Sequence, residues 1–91
     1  MIYTIHFATA ALTEIKDLKR SEPQAYKKLV KLLEELLEHP YSGTGKPERL
    51  KYYPEPTWSR RISQKHRLVY QVKEKTVTVL ILSAYGHYDD K

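Results

Sequence analysis

The sequence predicts an α+β fold in which two N-terminal helices cover one face of a mostly antiparallel sheet, in the order β-α-α-β-β-β-β. Three observations carry this expectation. A two-residue alternation at the start gives way to helical spacing at Thr9, two helical stripes follow each other with only "SEP" between them, and the second half is a series of short strand-like runs punctuated by Gly, Pro and polar turns. Helices that each carry one apolar stripe, followed by a meander, bury those stripes together against one side of the sheet.

Taken in order, "MIYTIHF" sets Ile2, Thr4 and His6 against Tyr3, Ile5 and Phe7, which predicts a short strand. Ala11, Leu12, Ile15 and Leu18 then fall at helical spacing, so a first helix is expected from Thr9 to about Arg20. Ser21 with Gln24 reads as a capping box, Pro23 suits a first turn, and Tyr26, Leu29, Leu33, Leu36 and Leu37 form the stripe of a second helix that Pro40 ends. After the Gly- and Pro-rich loop "PYSGTGKPERLK", strands are expected over residues 50–53, 57–62, 67–73 and 76–84. No repeat, linker or low-complexity tract divides the chain, so residues 1–91 are expected to form a single domain.

The hairpin in "TWSRRISQKHRLVYQV" has a nearly fixed register. Placing Trp58 and Ile62 on the same face as Leu68, Tyr70 and Val72 requires even positions to pair with even positions. A turn at Ser63-Gln64-Lys65 then pairs Ile62 with His66, Arg60 with Leu68 and Trp58 with Tyr70, and it sets Arg61 opposite Arg67 on the second face. Like charges across a ladder destabilise it. Two arginines there suit a polyanion whose phosphates accept guanidinium forks, and they equally suit an open solvated face.

Composition narrows the function classes. A chain of 91 residues builds only a modest core, burying roughly 60% of the surface its unfolded form exposes. It has no cysteine, which excludes a disulfide framework and a thiolate metal site and suits a reducing cytosol. No apolar run approaches the ~20 residues of a bilayer span, and the N-terminus lacks the features of a secretory signal, so a cytoplasmic location without membrane contact is expected. Sixteen Lys and Arg against eleven Asp and Glu leave a formal charge of +5, which favours a polyanionic partner.

"GTGKPE" is not a nucleotide-binding P-loop, which needs a longer Gly-to-Gly spacing, Ser or Thr after the Lys, and a strand-to-helix context. Its glycines instead suit positioning Lys46, Glu48 and Lys51 at the edge of a basic groove, or simply joining a helix to a strand. His6, His39, His66 and His87 show no ligand spacing, and adjacent Asp89 and Asp90 are more often solvated than metal-bound, so neither a metal nor another cofactor is expected. RNA cleavage needs neither, because the 2′-hydroxyl is a built-in nucleophile. The reaction requires a base, cations for the charge on phosphorus, and an acid for the leaving oxygen. Glu48, Arg61 with Arg67, and His87 are suitable in type. Tyr85 and Tyr88 suit base stacking or packing against the sheet edge.

"GTGKPERLK", then "WSRRISQKHRLVYQV", then a strand ending "GHY" resemble in order the signature blocks of the Txe/YoeB toxins, RelE-like endoribonucleases of bacterial type II toxin-antitoxin pairs. The resemblance implies a RelE-like fold and a ribosome-dependent interferase that cuts mRNA in the ribosomal A site. It also implies neutralisation by a cognate YefM-like antitoxin, and it leaves a homodimer open. By matching position, Glu48 would be the general base, Arg67 the stabiliser of the phosphorane-like transition state, His87 the general acid and Tyr88 a substrate-orienting neighbour. Lys46, Lys51 and Arg61 would add phosphate contacts. Two departures stand out: "YYPEPT" before Trp58 replaces the family's Leu- and Gly-containing turn, and Asp89, Asp90 and Lys91 follow the tyrosine. The alternatives are a non-catalytic ParE-like toxin acting on DNA gyrase, which would lack the Glu-Arg-His set, and a plain RNA-binding module.

Overall fold

Pro23 divides the N-terminal helical stretch in two. A proline restricts the residue before it to extended backbone, and Glu22 accordingly sits at φ −140°, ψ 75°. It closes α1 (Thr9–Ser21) by donating its N–H to Leu18 O, and its own carbonyl accepts the Tyr26 N–H to open α2 (Pro23–Leu36). The expected capping box does not form. Glu22 occupies the cap, and the Ser21 hydroxyl donates back to Asp17 O instead.

The computed structural model describes residues 2–86. Before the helices lies β1 (Thr4–Phe7); after them come β2 (Glu48–Arg49), β3 (Thr57–Arg61), β4 (Arg67–Lys73), a 3-10 turn (Glu74–Thr76) and β5 (Thr78–Ser83). They form one sheet in the order β1-β5-β4-β3-β2, antiparallel except where β1 runs parallel to β5. Both helices pack on one face. Leu18, Leu29, Leu32 and Leu36 from the helices meet Leu68, Tyr70, Val72, Val79 and Ile81 from the sheet in one buried cluster. Leu12 and Leu37, expected in the stripes, are exposed, whereas Ala25 and Leu32 are buried in their place.

Two strands start elsewhere than expected. The ladder predicted at residues 50–53 lies two residues earlier, at Glu48–Arg49, because Pro54 and Pro56 lack the N–H groups a continued ladder needs. The final strand begins at Thr78 rather than Thr76, since the 3-10 turn runs into Val77 at φ 49°. The β3–β4 register is as expected, with Trp58 facing Tyr70, Arg60 facing Leu68 and Arg61 facing Arg67. Between β4 and β5 the register slips: Tyr70 faces Ile81 but Val69 faces Ser83, which leaves Leu82 as a bulge.

Candidate active site

Alternation divides β3 between two tasks. Trp58 and Arg60 point toward the helices, whereas Ser59 and Arg61 face the opposite side with their cross-strand partners Glu48 and Arg67. On that second face Gly45, Lys46, Pro47, Glu48, Ser59, Arg61 and Arg67 line a cleft of about 420 Å³. Among the described residues three cations surround one carboxylate there.

What delivers Glu48 to the cleft is a buried arginine behind it. Arg60 is fully buried, a placement a guanidinium tolerates only when its donors are satisfied. Its Nε donates to Tyr70 Oη at 3.0 Å and its Nη1 to Glu35 Oε1 at 2.9 Å, while Nη2 donates to the carbonyls of His39 and Ser42. Tyr70 Oη in turn donates to Pro40 O at 2.8 Å. Glu35 also accepts the Thr44 N–H at 2.8 Å. Hydrogen bonding from Thr44, with the Arg60 charge beside it, holds the Glu35 carboxyl below its usual range despite partial burial. Burial pushes the Tyr70 phenol up, against the opposing effect of Arg60.

The loop before Glu48 is thereby tied down at residues 39–44. Its exit is fixed by Gly45, whose carbonyl accepts the Arg61 N–H at 2.7 Å and whose φ is +86°. A Cβ there would lie 2.9 Å from Arg61 O, so the close approach of loop to strand requires glycine. Lys46 follows at φ 52°, and Glu48 then enters β2 opposite Ser59.

Arg67 is pre-aimed. Its Nη1 donates to Ser63 O at 2.8 Å and to His66 O at 3.3 Å, so the β3–β4 turn holds one side of the guanidinium fork. The Arg61 side chain is exposed and makes no hydrogen bond or ion pair among the described residues. Placing these two arginines opposite each other opposes folding by roughly 0.2–1 kcal/mol, a cost that a bound anion would offset.

Of the residues singled out from sequence, the structure brings Lys46, Glu48, Arg61 and Arg67 together around one cleft. Lys51 is exposed and does not line it. His87 and Tyr88 lie outside the described residues. Ser59, buried at the floor between Glu48 and Arg61, was not anticipated. Neither was Arg60, although its signal was present: a charged residue at a core parity between Trp58 and Ile62 demands buried partners. Among the described residues no three His, Cys, Asp or Glu side chains are grouped to hold a metal ion, and no helix is long and apolar enough to cross a membrane.

Residues 7–88 match the sequence model of the YoeB-like toxin of bacterial type II toxin-antitoxin system. The chain belongs to this family. It is 37% identical over 70 residues to toxin YoeB of Escherichia coli strain K12, an alignment that covers 77% of this chain and 81% of that one. The solved YoeB of Staphylococcus aureus is 32% identical, with 97% of this chain and all of that one covered; the TM-score is 0.83 for its dimer and 0.80 for its complex with YefM. An archaeal RelE from Pyrococcus horikoshii, solved with RelB, is 17% identical over 94% of this chain and 96% of that one and shares the fold at a TM-score of 0.75. A YoeB-type toxin is therefore built here on the RelE-like arrangement of two helices against a five-stranded sheet.

Proposed function

We propose that this toxin is a ribosome-dependent mRNA endoribonuclease of the cytoplasm. The observation that carries the reading is the carboxylate of Glu48 in a cleft whose other charged lining residues, among those described, are Lys46, Arg61 and Arg67. A phosphodiester brings one negative charge and a 2′-hydroxyl that must lose a proton, and this set matches both needs. Glu48 takes the proton from the 2′-hydroxyl as its oxygen attacks phosphorus. Arg67, held by the turn carbonyls, and Arg61 stabilise the extra charge on the phosphorane-like transition state, with Lys46 and Lys51 drawing in the backbone. The P–O5′ bond breaks, leaving a 2′,3′-cyclic phosphate and a 5′-hydroxyl. His87 protonates that departing oxygen and Tyr88 orients the substrate beside it.

The partners follow from the same reading. The substrate is mRNA in the A site of the ribosome. A cognate YefM-like antitoxin neutralises the toxin by covering the cationic cleft, and self-association of the kind seen in the S. aureus dimer is a second assembly open to this chain. Residues 1–91 act as one domain.

Induced expression in bacteria, followed by mapping of RNA ends, tests the reading. The expected result is growth arrest with discrete cuts in translated messages, relieved by Glu48→Ala and by His87→Ala. DNA damage with intact messages would replace the ribonuclease with a gyrase poison. Full toxicity of both variants would overturn the assignment of base and acid.

A further inference from the structure

The geometry points to His66 as a positioning residue that anchors the backbone at Gly86 beside Arg67 by accepting the Gly86 N–H at one ring nitrogen while giving its own proton to Glu22 at the other. This inference rests on the proposed ribonuclease function for its catalytic consequence, and on contacts independent of that function for its geometry.

His66 is 3% exposed and bonded on every side. The Gly86 N–H reaches Nδ1 at 2.7 Å, and Nε2 lies 2.6 Å from Glu22 Oε2. An amide N–H can only donate, so Nδ1 carries the lone pair and Nε2 carries the proton that Glu22 accepts. The tautomer is thus dictated by its two neighbours. The imidazole also packs against Tyr85, with ring centroids 4.4 Å apart and the planes tilted by 42°. Its backbone is held equally well: the His66 carbonyl accepts from Ile62 and Ser63, and its N–H donates to Ser63 Oγ.

The anchor joins three elements that the proposed chemistry needs in register. Glu22 is the junction of the two helices, so the ring is referenced to the helical layer. Arg67 is the next residue along β4, and its N–H donates to Gly86 O at 3.1 Å. Gly86 is therefore held at both its N–H and its C=O. Its φ of +79° makes the turn there, and a Cβ would meet nothing within 4 Å, so backbone conformation rather than crowding calls for glycine. His87 follows directly. A ring that fixes Gly86 fixes, beside Arg67, the residue that immediately precedes the proposed acid. Displacements near 1 Å in such constellations cost about 100-fold in rate.

Two carboxamides separate the two ring nitrogens. Asparagine places an acceptor near the Nδ1 position and leaves Glu22 unpaired, whereas glutamine reaches Glu22 from near the Nε2 position and leaves the Gly86 N–H without its acceptor. The expected result for His66→Gln is a roughly 100-fold loss of cleavage turnover with KM for programmed ribosomes unchanged, together with faster amide exchange at Gly86. His66→Asn is expected to keep Gly86 protection close to wild type and to lose clearly less turnover than His66→Gln. Equal impairment of both variants, or wild-type turnover in His66→Gln with Gly86 unprotected, would overturn the proposal. Nitrogen-15 spectra of the unmodified protein add a test that needs no variant: the Nε2–H tautomer is expected at His66, and the Nδ1–H tautomer would refute the anchor. If the wild type cuts no message on ribosomes, the ribonuclease reading falls, and the tautomer and Gly86 exchange still decide the anchor.

Discussion

Replacing Arg60 by methionine keeps the length of the apolar stem and removes the guanidinium donors that hold His39 and Ser42 in the loop before Glu48. Glu35 Oε1 and the carbonyls of His39 and Ser42 would lose their shared partner at once, and Tyr70 Oη would lose a donor. Removing one member of a buried, hydrogen-bonded ion pair costs about 3–5 kcal/mol, chiefly because the other member stays in place unpaired. A chain of 91 residues has a total stability of roughly 5–14 kcal/mol, so the variant should fold but lose a large share of its margin. At an m-value near 2 kcal/mol/M the urea midpoint should fall by about 2 M.

Trp58, the chain's single tryptophan, packs edge-on against Tyr41 at 5.3 Å in the same region, so its fluorescence reports both loop and fold. Glu35→Gln retains acceptors for Arg60 and Thr44 and loses only the charge, which predicts a smaller loss of about 1 kcal/mol. A loss below about 1 kcal/mol for Arg60→Met, with the m-value unchanged, would mean that water readily replaces the guanidinium. The loop would then be held by something other than Arg60.

Arg61→Ala should raise stability by about 0.2–1 kcal/mol in thermal melts, by relieving the pair with Arg67, while weakening RNA binding and lowering its salt slope by about one; lower stability would refute the cross-strand repulsion. Gly45→Ala should destabilise by about 1–3 kcal/mol, since its Cβ meets Arg61 O at φ +86°; a neutral melt would contradict the close approach. For pH, Glu35 is depressed in the fold, so its contribution is complete above its unfolded value near 4.3 and is lost as pH falls through the lower folded value. Tyr3 and Tyr41 are raised by burial and by the Glu74 carboxylate they share, so their contribution is complete below about pH 10 and is lost as pH rises through the folded values. Urea midpoints across both windows should therefore show a shallower acid arm in Glu35→Gln and a shallower alkaline arm in Tyr41→Phe; unchanged arms would remove these groups from the linkage.

The parts legible in sequence were those set by periodicity. Matching Trp58 and Ile62 to Leu68 and Tyr70 leaves one hairpin register, and that register alone places Arg61 across from Arg67. The cleft was partly legible too, because the loop motif and the hairpin each named residues that line it. What escaped depended on contacts distant in sequence. Glu22 displaced Ser21 from the cap between the two helices, while its side chain serves His66, 44 residues away. The Arg60 cluster draws on residues 35–44 and 70, which no local pattern associates. β2 moved because two prolines forbid a ladder that side-chain alternation favours.

The unpaired Leu82 has a consequence of its own. Each strand residue carries one binary assignment, toward the helices or toward the cleft, and ordinarily that assignment simply alternates. Along β5 and the residue after it the buried positions run Val79, Ile81, then Ala84, a step of two followed by a step of three. Ser83 consequently stands beside Val69 on the cleft side instead of following Ile81 inward. The bulge works as a frameshift in space. A regular ladder that kept Leu82 in step would send Ser83 and Ala84 to the opposite layers, whereas deleting Leu82 would leave both on the sides they occupy now.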